Sequence, residues 1–241
     1  MKKYPEFPET IFKEYVTDWQ TAFGRELEAI ILYGSAARGE YVPGKSDLNF
    51  LVMVTAPGMA KLREAVEITE KWRPAGVAVP LALTRDYIQA SLDSFPIEFL
   101  DMKLRHRAVF GHDALADLEI SPQNLRLQLE RELKGKLLHL RQGLLGTGND
   151  REALRDLLLR TIPAFAALFE ALLFLKGEAI PNARQEIFQK VAGLAGLDGG
   201  FVERLFHLQA KDSRLYREEL WKIMEDYIAQ IEKLATYIDR M

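Results

Sequence analysis

Leu32-Tyr33-Gly34-Ser35-Ala36-Ala37-Arg38-Gly39-Glu40-Tyr41-Val42-Pro43-Gly44-Lys45-Ser46-Asp47-Leu48-Asn49-Phe50-Leu51-Val52-Met53-Val54 is the stretch on which the reading of the fold turns. The apolar run Ala29–Tyr33 enters it as a buried strand and ends at a glycine-serine turn. Gly34 lets the backbone pass close to a ligand, and a helical turn after it would aim backbone N–H groups, with the Ser35 hydroxyl, at a phosphate. The run Leu48–Val54 reads as a second strand. Alternation then puts Asp47 and Asn49 on one face while Leu48 and Phe50 turn into the core. Oxygen donors at that spacing suit magnesium, which takes few protein ligands and completes its shell with water and phosphate oxygens.

Working outward, apolar residues at helical spacing (Ile11, Tyr15, Trp19, Phe23) predict an opening helix over Glu9–Phe23, stopped by Gly24. Met59–Trp72 reads as a helix, Val77–Leu83 as a strand and Arg85–Leu92 as a short helix. Ile97–Met102 reads as a last extended run that can reach Phe110. After Gly111 the pattern becomes helical throughout: Leu125–Leu145, Glu152–Lys176, Ala183–Leu194 and Leu215–Ile238 form a helix bundle, with Pro163 starting or kinking the second helix. Two domains follow, 1–118 and 119–241.

The stretch quoted above resembles the signature of the nucleotidyltransferase superfamily, a Gly-Ser turn followed about a dozen residues later by Asp-x-Asp. In this superfamily, DNA polymerase beta-like and kanamycin nucleotidyltransferase-like, Gly34, Ser35, Arg38, Gly39, Ser46 and Asp47 match the minimal and antibiotic-modifying members in type and order. The resemblance implies an α+β fold: an N-terminal mixed sheet with flanking helices, then a C-terminal helix bundle of the kind that lines the acceptor site in kanamycin-type enzymes. It implies ATP as substrate and Mg2+ as cofactor, with Gly34, Ser35 and Arg38 on the triphosphate and Asp47 and Asn49 on the metal. A hydroxyl of a small-molecule or protein acceptor would attack the α-phosphate, and pyrophosphate would leave.

The match is incomplete at two places. Asn49 stands where the family has a carboxylate; its amide oxygen can coordinate, but one negative charge is missing. Two unit charges about 4 Å apart at an effective dielectric near 20 interact by about 4 kcal/mol, which is about a thousandfold in rate if felt fully in the transition state. A protein that binds nucleotide or a protein partner without turnover is therefore the alternative expectation. The third family carboxylate aligns with Val79-Pro80-Leu81, which has none. The substitutes are Glu98 and Asp101, which on a strand face opposite sides. The apolar-acid-apolar order Ile97-Glu98-Phe99 favours Glu98 as third metal ligand or general base, with Asp101 still open.

Composition narrows the rest. The 241 residues are 48% hydrophobic and 28% charged, enough for a sizeable core. A formal net charge of -3 gives no basic field, so nucleic acid is disfavoured as a partner. The absence of cysteine excludes disulfides, thiolate zinc sites and cysteine nucleophiles. His112, His139 and His207 lack metal-ligand spacing. Met1–Pro8 has no leader-like apolar segment, and Ile162–Leu175, shorter than the roughly 20 residues of a membrane span, reads as a buried helix. A cytoplasmic protein with no membrane partner is expected. The stripe Leu220, Ile223, Met224, Tyr227, Ile228, Ile231, Leu234 and Ile238 suits a bundle core or a seam between two copies, so a homodimer stands among the expectations.

Overall fold

The structure, a computed structural model, describes residues 4–148, 150–209 and 215–241. Met1–Lys3, which enter the leader reading, lie outside them. The chain divides into two compact units, Met1–Ser121 and Pro122–Met241.

The first unit is built on four strands, β1 (Leu27–Tyr33), β2 (Asn49–Val54), β3 (Leu81–Leu83) and β4 (His106–Gly111), in the order β3-β2-β1-β4. β1 is antiparallel to both β2 and β4, whereas β2 and β3 are parallel. A parallel pair needs a crossover, supplied by α2 (Ala56–Met59) and α3 (Leu62–Trp72). The sheet is covered on both faces, which is why its strands read as continuous apolar runs. Ile30, Leu32, Phe50, Val52 and Val54 pack against Tyr15, Trp19 and Phe23 of α1 (Phe12–Phe23) and Ile68 and Trp72 of α3. Ala29, Ile31, Leu51 and Met53 pack against Ile88 of α4 (Arg85–Ser91) and Phe99 and Met102 of α5 (Pro96–Leu104). Burying a side chain such as Phe50 contributes about 1.5–3 kcal/mol.

Two expectations are corrected here. Ile97–Met102 is helix α5, and the last strand is His106–Gly111. Pro96 occupies the first turn, where its missing N–H costs nothing. Ile97, Phe99, Leu100 and Met102 are all buried, a wide apolar face whose start, Ile97-Glu98-Phe99, alternates as a strand does. The strand expected over Val77–Leu83 is shorter, Leu81–Leu83, preceded by an isolated bridge from Val77 to Leu48. From Leu48↔Val77 to Leu51↔Leu81, one side advances three residues and the other four, so one residue is extra. The irregularity contains Pro80, which has no N–H to give a ladder.

The second unit is entirely helical in its described residues: α6 (Pro122–Thr147), α7 (Arg151–Leu175), α8 (Arg184–Ala195), α9 (Gly199–His207) and α10 (Arg217–Asp239). Asp150 caps α7 by accepting from the N–H groups of Glu152 and Ala153, and Glu219 accepts from the Tyr216 N–H at the start of α10. Pro163 lies inside α7 and does not start it. At 25 residues α7 is long and apolar enough to span a bilayer, which corrects the length argument. Over half of its apolar window, 56%, is buried, as for a core helix. Leu220, Met224, Tyr227, Ile231, Leu234 and Ile238 of α10 are all buried within the chain, so that stripe is core and lends no support to a dimer seam. Glu170 on α7 is also buried, against the usual habit of helical glutamates.

Candidate functional site

The chain leaves β1 at Tyr33 and turns at Gly34, whose φ of 77° is open to glycine with little strain. Residues Ser35–Gly39 form one helical turn. The Arg38 N–H donates to the carbonyls of Gly34 and Ser35, the Gly39 N–H to Ala36, and the Glu40 N–H to Ser35 at 3.0 Å. With Gly39 at φ 77°, these last two bonds make a Schellman ending on a single turn. Among the described residues the backbone N–H groups of Ser35, Ala36 and Ala37 have no acceptor, as expected at the start of a helical turn.

The return strand is held by a second turn. The Ser46 N–H donates to the Val42 carbonyl at 2.9 Å while the Ser46 hydroxyl accepts from the Val42 N–H at 3.1 Å. Ser46 thus shapes the loop that delivers Asp47. Leu48 and Phe50 are fully buried, Asp47 is exposed and Asn49 half-buried, so the alternation expected at the start of β2 holds. Tyr33 pairs with Asn49 across the ladder. A Cβ placed on Gly34 would lie 3.1 Å from Asn49 Nδ2, its nearest neighbour. The amide nitrogen therefore faces the turn and Oδ1 is the more distant atom. No hydrogen bond or ion pair among the described residues engages the Asp47 carboxylate.

The two acids on the helix behave differently from their expected places on a strand. Three apart on α5, Glu98 and Asp101 lie on one side of the helix, so the alternation that separated them does not apply. Asp101 accepts from Arg38 Nη2, joining α5 to the Gly-Ser turn, and both side chains are largely enclosed, at 16% and 34% exposure. Burial, with the Asp101 charge adding to it, raises the Tyr33 phenol above its ordinary pKa. Glu98 is exposed. The Arg38 and Asp101 pairing is the feature that sequence reasoning missed; the proline in the first turn of α5 was the signal that a helix, not a strand, carries these acids.

Lys45, in the loop before Asp47, is exposed. In the basic run after α5, Arg107 pairs with Glu9 and lies over the Phe12 ring. His106 bonds through Nε2 to Asp113 at 2.7 Å and through Nδ1 to the Lys103 carbonyl at 3.0 Å. These are structural ties. β3 carries no carboxylate, in keeping with Val79-Pro80-Leu81.

Among the described residues no group of three or more Asp, Glu, His or Cys side chains could hold a metal ion. A centre built from three carboxylates is therefore not supported. The donors at the start of β2 are one carboxylate, Asp47, and one amide, Asn49, two residues apart in the chain, a set that would need water and phosphate oxygens to complete the shell of a magnesium ion.

No protein-family model matches the chain, and no curated protein matches it. Among solved structures it is similar to the spectinomycin adenyltransferase AAD(9) from Enterococcus faecialis, crystallised with ATP and spectinomycin. The similarity covers 94% of this chain and 99% of that one, with 13% sequence identity and a TM-score of 0.49. A likeness of that extent fixes neither activity nor ligands.

Proposed function

We propose that the N-terminal unit is a nucleotidyltransferase of the type its sequence resembles, taking ATP and moving AMP to a hydroxyl of a small-molecule or protein acceptor. The observation that carries this is the contact between the two halves of the motif: Gly34 faces the side chain of Asn49, so the Gly-Ser turn and the Asp-x-Asn strand start are adjacent. The N–H groups of Ser35 to Ala37, the Ser35 hydroxyl and Arg38 bind phosphate oxygens. Asp47 and the Asn49 amide hold the magnesium ion that accompanies the triphosphate. When bound, that ion neutralises charge on the phosphates and the departing pyrophosphate. Glu98, on the side of α5 that also carries Asp101, takes the acceptor's proton. A cytoplasmic location, where ATP is plentiful, goes with this reading.

The test is calorimetric titration with a non-hydrolysable ATP analogue, with and without magnesium, on the parent and on Asp47→Ala. Magnesium-dependent binding that Asp47→Ala abolishes supports the site; no binding by the parent overturns it. Glu98→Gln then separates binding from chemistry, since it should keep affinity for the analogue and lose turnover.

A second reading, nucleotide binding without turnover, is favoured by two specific features: Asn49 in place of a carboxylate, and a β3 strand without any. Pyrophosphate release measured over a panel of hydroxyl acceptors decides between the two, with release above the no-enzyme rate ruling out the second.

A further inference from the structure

The ion pair between Arg38 and Asp101 places a carboxylate where the proposed function needs a phosphate. Arg38 ends the single turn after Gly34, and its guanidinium is directed to Asp101 on α5, sixty-three residues later in the chain. Guanidinium binds carboxylate and phosphate through the same planar fork of donors, so a phosphate that engages Nη2 does so in place of Asp101. The pair is largely enclosed rather than solvent-screened, and an enclosed charge-assisted pair is stronger than one at the surface. Asp101 also adds its negative charge to the burial that raises the Tyr33 phenol, which places it beside the end of β1 from which the turn departs.

We propose that Asp101 is an internal competitor for Arg38: it holds the guanidinium in the nucleotide-free protein, and an arriving triphosphate takes Arg38 over from it. This rests on the reading of the turn as a triphosphate site. Asp101 is then a positioning residue that acts through Arg38 and sets nucleotide affinity. Apparent affinity is the intrinsic affinity reduced by the fraction of molecules in the competent state. If the pair leaves Arg38 available in about a tenth of molecules, removing Asp101 tightens binding by about tenfold. A group that only supported the fold would have the opposite effect, because its loss would loosen the turn and weaken binding.

The experiment is calorimetric titration of the full chain with the non-hydrolysable ATP analogue and magnesium. It compares the parent with Asp101→Asn, Asp101→Glu, Arg38→Gln and the double variant Arg38→Gln with Asp101→Asn. The expected results are about tenfold tighter binding by Asp101→Asn, near-parental binding by Asp101→Glu, weaker binding by Arg38→Gln, and no tightening when Asp101→Asn is added to Arg38→Gln. Unchanged or weaker binding by Asp101→Asn overturns the proposal. So does equal tightening in the absence of Arg38, which would show only the relief of a repulsive charge. If Asp101→Asn does not fold, Asp101→Ser carries the same comparison. A parent that binds no nucleotide overturns the site itself, an outcome distinct from a parent that binds while Asp101→Asn fails to tighten.

Discussion

Asp18 on α1 accepts a hydrogen bond from the indole N–H of Trp72 on α3 at 2.7 Å, and the same carboxylate receives the Lys71 ammonium. Trp72 is only 1% exposed, and its ring stands edge-on to Tyr15 in the cluster on one face of the sheet. One carboxylate thus ties together the two helices that cover this face. Asp18→Ala removes this acceptor from the buried indole N–H, and a hydrogen bond to a charged group contributes about 1.5–3 kcal/mol. Urea unfolding followed by tryptophan fluorescence should show that loss. Asp18→Asn, which keeps an acceptor for the indole, should lose less.

The same contact predicts a pH dependence. The hydrogen bond to Asp18 is the main reason the Lys71 ammonium titrates above its ordinary value, with Glu14 adding to it. A lysine whose folded pKa is raised stabilises fully below its unfolded value of about 10.4 and loses that contribution as pH rises through the folded one. Lys71 is partly exposed, so the contribution is small, about 0.2–1 kcal/mol. Parent and Lys71→Met should therefore differ by a constant amount at neutral pH and converge in strong alkali.

Two glycines of the turn after β1 separate strain from the proposed function. Gly34 and Gly39 both have φ of 77°, but a Cβ on Gly34 meets Asn49 Nδ2 at 3.1 Å whereas one on Gly39 meets nothing within 4 Å. Left-handed backbone costs a non-glycine residue about 1–2 kcal/mol. Both alanine variants should lose stability by that order in denaturant titrations. Gly34→Ala alone should also move Asn49 and weaken binding of the ATP analogue with magnesium by about tenfold or more. Equal affinities in the two variants would detach Asn49 from the site.

In the second unit, Asp198 caps α9. It accepts from the Gly200 N–H at 2.9 Å and from Arg204 at 3.0 Å, and its own N–H donates to Gln230 on α10. The Gly200 hydrogen bond and then Arg204 hold the Asp198 carboxyl below its usual value. A carboxyl with a depressed folded pKa stabilises above its unfolded value, about 3.9, and loses this as pH falls through the folded one. Asp198→Ala should be less stable than the parent at neutral pH, and the gap should close below about pH 4. A gap that persists in acid would mean that the charge is not the source of the effect.

What the sequence disclosed and withheld follows from the range of the interactions. Gly34-Ser35 and the alternation of Asp47, Leu48, Asn49 and Phe50 are local, so turn chemistry ends the first strand and period turns Asp47 and Asn49 away from the core that takes Leu48 and Phe50. The helix α5 was hidden because Ile97, Phe99, Leu100 and Met102 are all buried over a short segment, and the order Ile97-Glu98-Phe99 imitates the alternation of a strand. Misreading α5 also misread Glu98 and Asp101, which alternation put on opposite faces and the helix puts on one. α9 was missed because it is short and starts with Gly199-Gly200, residues that read as turn. The pairing of Arg38 with Asp101 joins distant parts of the chain, and no local pattern encodes it.

Asn49 bears most directly on whether the proposed reaction occurs. Its position at the start of β2, paired with Tyr33 and facing Gly34, means that Asn49→Asp restores a second carboxylate two residues from Asp47 without changing side-chain volume much. The added charge favours a divalent cation and, through it, charge neutralisation on the phosphates, by up to about 4 kcal/mol at an effective dielectric near 20. That corresponds to a gain in turnover of up to about a thousandfold. The gain should need magnesium and vanish in the Asp47→Ala background, because one carboxylate cannot replace the pair. Pyrophosphate release by Asn49→Asp at saturating ATP, over the acceptor panel used for the parent, measures it. A rise that depends on Asp47 shows a catalytic frame held in place and limited by one missing charge. An unchanged rate, with ATP and magnesium still bound, shows that the missing carboxylate on β3 is decisive and that binding is the activity of this unit.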